Sequence, residues 1–185
     1  VDINSMRTER RTLSFAKMQA TGDDYIYVEN FSGEITCPES LCVTLCDRHR
    51  GIGGYGIVLI EKSDVADVKM RLFNSDGSLG AMGGNAIRCV GKYVFDNGIV
   101  NKNDITVETG SGVHSLRLYT TSGKVSFVTV DMGSISFKAD EIPVISDTET
   151  VINQPVMIGG KEYNITCLSV GNPHCVVFAD RIDEL

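Results

Sequence analysis

The sequence predicts an α+β fold in which a strand-rich chain wraps around a single central helix. Two observations carry this prediction. In residues 85–97 the apolar side chains Ala86, Ile87, Cys89, Val90, Tyr93, Val94 and Phe95 cover most of a helical circumference. Asn85, Arg88, Lys92 and Asp96 leave only a narrow polar stripe, and a helix apolar on most sides is usually buried. On either side of this segment the apolar residues alternate in short runs, separated by glycine-containing turn signals, as strands and hairpins require.

The elements follow in chain order. Residues 1–11 (VDINSMRTERR) are polar and aperiodic, so they read as a disordered leader and the folded domain is expected over 12–185. TLSFAKMQ (12–19) and DYIYVENF (24–31) alternate as strands around the turn ATGD. PESLCVTLCDRH (38–49) opens with Pro and Glu, as the first turn of a helix does. GIVLIEK (56–62) and ADVKMRLFN (66–74) read as two further strands. After the helix, which Asn97-Gly98 should stop, DITVET, VHSLRLYT and KVSFVTVDMG are separated by GSG and TSG. In the last of these strands Val128, Val130 and Met132 are expected to share one face. EYNITCLSVGNPHCVVFAD (162–180) offers two more strands, broken at Gly-Asn-Pro-His.

Composition narrows the function classes. A net charge of -7 with no Lys/Arg cluster argues against nucleic acid as a partner. No run approaches the ~18 apolar residues of a membrane span, and no signal-peptide pattern opens the chain. Six cysteines without a secretory signal suggest reduced thiols and a cytoplasmic setting. Cys37, Cys42 and Cys46 form the one close group but contain no C-x-x-C pair, so buried structural thiols are expected there rather than a metal site.

The stretch GAMGGNAIRCVGKYV (80–94) joins a glycine-rich turn to the helix. Its offered side chains, Met82 and Asn85 beside Gly83 and Gly84, include no strong acid, base or nucleophile. A helix N-terminus still presents unpaired N–H groups and a partial positive charge, which attract carboxylates or phosphates. The turn lacks both the Gly-Lys-Ser/Thr ending of a phosphate loop and the G-x-G-x-x-G dinucleotide fingerprint. From composition alone, a tight turn that merely needs glycine is the favoured reading.

KMQATGDDYIYV, DRHRGIGGYG, FNSDGSLGAMGGNAIRCVGKYVFDNG, VET, VDMG and GNPHCVVF occur in the order and at the separations found in diaminopimelate epimerases, and from residue 13 to about 183 the chain resembles that family. The resemblance implies a cofactor-independent amino-acid epimerase with two similar domains. Each would be a curled, mostly antiparallel sheet around a central helix, and this chain would correspond to the N-terminal one. It implies interconversion of LL- and meso-diaminopimelate, for lysine and peptidoglycan biosynthesis, by two cysteines. One acts as thiolate base and the other as thiol acid on opposite faces of a planar carbanion.

The resemblance also implies site residues, with departures. The first catalytic cysteine of the family falls at Gly83, where the thiol is absent. Cys89 lies about 9 Å further along the helix and is no simple replacement. The family's Gly-Asn-Asp reads Gly22-Asp23-Asp24, so a substrate-facing amide has become a carboxylate, and an Asp of the family reads Tyr55. Asp23, Asn74, Gly84, Asn85 and Asn172 are expected to bind substrate, whereas Arg88 and His174 are expected to be structural. The chain ends at Leu185, near where the family crosses to its second domain and second cysteine. The expectation is therefore a catalytically incompetent relative without metal or cofactor. It would take an amino-dicarboxylate of the diaminopimelate type and self-associate through an exposed domain cleft. A non-catalytic binding module and one half of a split epimerase are the alternatives.

Overall fold

The computed structural model describes residues 12–179 and 181. The chain divides between Val130 and Asp131 into two compact units. The first contains the strands β1 (Ala16–Ala20), β2 (Asp23–Glu29), β3 (Gly56–Glu61), β4 (Val68–Asn74), β5 (Leu79–Gly80), β6 (Asp104–Thr109), β7 (Gly112–Thr121) and β8 (Lys124–Val130). Its helices are α1 (Pro38–Cys46) and α2 (Gly84–Asp96). The sheet order is β1-β2-β3-β4-β6-β7-β8, with β5 beside β4. Pairing is antiparallel except for β2 with β3 and β4 with β6.

The two edge strands of this sheet, β1 and β8, both pack on α2, as do β2, β4 and β7. A sheet whose opposite edges reach the same helix must curl around it, so the expected fold class is the observed one. The strand period decides which side chains meet α2. Tyr27, Val58, Ile60, Met70 and Leu72 pack with Ala86, Ile87, Val90 and Val94. Their alternates Ile26, Val28, Ile57, Leu59 and Phe73 face the other way and pack with Cys42 and Cys46 of α1. Strands covered on both faces read as unbroken apolar runs rather than alternating ones, which accounts for GIVLI.

The hairpin turns follow their glycines. Thr21 and Gly22 take positive φ values of 54° and 93° between β1 and β2, and Ser122 and Gly123 do the same (53° and 77°) between β7 and β8. A register shift at Tyr119/Thr120 breaks the alternation of β8. Its buried residues are Val125 and Val128, and the strand stops at Val130, so Met132 does not share its face.

The second unit holds β9 (Gln154–Ile158), β10 (Lys161–Ser169) and β11 (Pro173–Val177) in the order β11-β10-β9, with a 3-10 turn at Ala139–Glu141. Its core is Ile142, Val151 and Cys167. The leader expected over 1–11 lies outside the described residues.

Candidate functional site

The first turn of α2 sits at one end of the curled sheet. Gly56, which opens β3, is in register with Tyr25 near the start of β2 and with Asn74 at the end of β4. β5 and the turn at 81–83 then lead straight into the helix. Asp23, Asn74 and the Gly83-Gly84-Asn85 turn therefore gather at this end because three strands begin or finish there.

Gly83 is the N-cap of α2, with extended backbone at φ −134° and ψ 116°, and its carbonyl accepts from Ile87 N–H at 2.9 Å. It gives no side-chain cap, and the first turn carries no acidic residue. The N–H groups of a first helical turn have no partner inside the helix, so this end keeps its positive character. Gly84 is the first helical residue and Asn85 the second.

Asn85 is the centre of a polar cluster. Its Nδ2 donates to Asp23 Oδ2 at 2.7 Å, while its Oδ1 accepts from Thr21 Oγ1 at 2.8 Å and from the Arg88 guanidinium. Arg88 Nη2 also donates to Thr21 Oγ1 at 3.2 Å. The orientation of the amide is thereby set, with its oxygen toward the Arg88 cation and the Thr21 hydroxyl and its nitrogen toward the carboxylate. Thr21 and Arg88 thus orient Asn85, and the spacing of three between Asn85 and Arg88 on the polar stripe is the signal that places the two together.

Strand alternation separates the adjacent carboxylates. Asp23 falls on the α2 side with Tyr25 and Tyr27. Asp24 falls on the other side, where Arg48 grips it through two nitrogens at 2.6 and 3.1 Å and Lys17 at 2.9 Å. Arg48 first, and then Lys17, hold the Asp24 carboxyl down to about 2. Arg48 also lies over the Tyr55 ring, 5.4 Å from its centroid. Tyr55 ties the strand ends together through its backbone, its N–H donating to Asp24 O at 2.7 Å and its carbonyl accepting from Ser75 N–H at 2.9 Å.

Asn74 is exposed, and its Nδ2 donates to Ser78 Oγ at 3.0 Å within the 74–78 turn. Asn172 belongs to the second unit, in the β10–β11 turn, where His174 Nε2 donates to its Oδ1 at 3.1 Å. Cys89 lies inside the sheet, 6% exposed, and burial raises its thiol. Among the described residues, no group of three or more His, Cys, Asp or Glu could hold a metal ion. The thiols of Cys42 and Cys46 are buried as expected, 3.6 Å apart, but Cys37 is exposed. It sits at the N-cap of α1, before the helix turns inward. No helix among the described residues is long and apolar enough to cross a membrane.

The arrangement can receive an anion at the α2 N-terminus and hydrogen-bond it. At position 83 it supplies no group to take or give a proton.

Residues 15–138 match the family model described as diaminopimelate epimerase. A relative of that name from Acetivibrio thermocellus is 51% identical over 171 residues, 92% of this chain and 61% of the relative. Another from Methanococcus maripaludis is 48% identical over 172 residues, 93% and 62% of the two. The chain thus spans about three fifths of the length of the curated relatives it matches. Among solved structures, a hydroxyproline epimerase from Agrobacterium vitis superposes with a TM-score of 0.63 at 14% identity, covering 91% of this chain and 52% of that one. A probable proline racemase from Agrobacterium radiobacter gives 0.64 at 15% identity, covering 90% and 52%. At such identities the likeness is one of fold, the curled sheet around a helix.

Proposed function

The chain belongs to the diaminopimelate epimerase family, and from that premise we propose that the α2 N-terminus binds a carboxylate of diaminopimelate but does not move its α-proton. The observation that supports this reading is the uncapped helix start with Gly83 at its N-cap. One ligand carboxylate would lie on the N–H groups of Gly84, Asn85 and Ala86, where the helix favours negative charge. Asn85, already oriented by Thr21 and Arg88, would donate to it in exchange for Asp23. Asn74, at the end of β4, is a further proposed substrate contact.

Epimerisation without a cofactor removes the α-proton on one face and returns a proton on the other. The LL to meso conversion, on the route to lysine and peptidoglycan in a cytoplasm, needs an acid/base pair for this. Losing one such group costs ~10²–10⁴-fold in rate. Cys89 offers no rescue, because its sulfur is enclosed by the sheet and burial keeps the thiol protonated.

The test is an amide chemical-shift titration with meso-diaminopimelate. Saturable shifts at Gly84, Asn85 and Ala86 are expected. Shifts confined to other residues, or none at millimolar ligand, would refute the binding role.

A further inference from the structure

Cys167 and Cys175 face each other across β10 and β11, in direct register. The type of this pairing follows from where the neighbouring N–H groups point. Cys167 N–H donates to Val151 O at 2.9 Å and Ser169 N–H donates to Ser136 O at 2.8 Å, both away from β11. The two-residue turn Gly159-Gly160, at φ 59° and 82°, sets the same parity by pairing Lys161 with Ile158. Pro173, opposite Ser169, has no N–H to give. Cys167 and Cys175 therefore occupy a non-hydrogen-bonded position of the ladder. Cα atoms there lie ~4.5 Å apart, closer than in the alternate pairs, and disulfides span ~4.4–6.8 Å between Cα atoms.

We infer that Cys167 and Cys175 are a disulfide-forming pair that closes when the chain meets a small-molecule disulfide. Access sets the order of events. Cys175 lies on the edge strand and is exposed, whereas Cys167 is 4% exposed and packs with Ile142 and Val151. The Cys175 thiolate attacks one sulfur of the small disulfide, and the S–S electron pair leaves with the other half as a thiolate. Cys167, as thiolate, then attacks the Cys175 sulfur of the mixed disulfide and expels the second half. The two cysteines together lose two protons and two electrons, and the small disulfide becomes two thiols. Burial, and after it the neighbouring Cys175 sulfur, raise the Cys167 thiol, so closure speeds up as rising pH turns more of Cys167 into thiolate. The product fastens edge strand β11 to β10.

Cys42 and Cys46 provide an internal contrast. Their sulfurs are 3.6 Å apart, yet both are buried, and burial pushes the Cys46 thiol up to about 12. They should stay reduced in the folded chain. The test treats the folded chain with oxidised glutathione, alkylates the remaining thiols and maps peptides without reduction. A peptide pair linking Cys167 to Cys175 is expected, with Cys42, Cys46 and Cys89 unlinked. In the Cys167→Ser variant, Cys175 should stop at the glutathione adduct. The inference is overturned if the unsubstituted chain keeps glutathione on Cys175 without closure. It is equally overturned if Cys175 links to another cysteine, or if both thiols remain open to alkylation.

Discussion

Replacing Gly83 with cysteine is the most informative change to the α2 turn. The backbone accepts it, because φ −134° and ψ 116° are extended values open to any residue. An added Cβ would meet Leu72 Cδ2 at 3.3 Å and Ala86 Cβ at 3.4 Å, so one flexible leucine end must yield by a few tenths of an ångström. The stability cost should stay at or below about 1 kcal/mol. The new sulfur would sit at a helix end carrying about half a positive charge, and at ~4 Å and an effective dielectric of ~20 this is worth ~2 kcal/mol. That corresponds to ~1.5 pKa units, from ~8.5 to ~7. Asp23, held through Asn85 on the same turn, opposes the shift. Screened by water, its charge gives back ~0.5 unit. At pH 7 the thiolate fraction should rise from ~3% for an ordinary thiol to between ~25% and ~50%. Alkylation with iodoacetamide, with N-acetylcysteine in the same tube as the unperturbed reference, reads this directly. Peptide mapping separates position 83 from the exposed Cys37 and Cys175. An apparent pKa of ~8.5 or above at position 83 would mean that the turn does not carry the helix field, and the anion-binding argument would fail with it.

Other consequences can be checked on the same protein. Asp23→Asn keeps an acceptor for Asn85 but removes a charge beside the proposed carboxylate, so diaminopimelate should bind more tightly by ~1 kcal/mol, about five-fold, even at water's dielectric. Calorimetry showing equal or weaker binding would place Asp23 on a ligand ammonium instead. Gly56→Ala should destabilise the first unit by about 3 kcal/mol or more in urea unfolding, because its Cβ would lie 2.1 Å from the Phe73 carbonyl oxygen of β4, a backbone atom that cannot move aside. A loss under about 1 kcal/mol would contradict that register. Asp24 titrates near 2 when folded against an ordinary 3.8, so its contribution is present above about 3.8 and fades as pH falls through 2. Screened by water, it amounts to about 1 kcal/mol. Asp24→Asn should therefore lower stability at pH 5 and lose its effect near pH 2, and an equal deficit at both pH values would refute the ion pair.

Most strands of the first unit were legible because their apolar residues follow one face of the sheet between glycine turns. Helix α2 was legible from its nearly complete apolar circumference. Two strands were not. β5 is only Leu79–Gly80 and is created by its partner β4, and β9 (QPVMI) carries proline at its second position and is largely exposed. Met132 falls outside β8 because the strand stops at Val130, an end that an alternating sequence does not mark. At the site, the turn and Asn85 could be found from glycine spacing and resemblance. The choice between Asp23 and Asp24 is a matter of strand parity, and only the pairing of β2 with β1 and β3 fixes which carboxylate meets Asn85. Thr21 joins the cluster through a left-handed turn that pattern alone shows as a hairpin, with no hint of what the hydroxyl touches.

The measurement closest to the central claim is exchange of the α-hydrogen of LL-diaminopimelate in heavy water, followed by mass spectrometry beside a heat-killed control. With glycine at position 83, the chain should bind the ligand and incorporate no deuterium above that control over a long incubation. Incorporation above the control would contradict the account, since it would require a proton acceptor in this turn that neither Gly83 nor the buried Cys89 supplies.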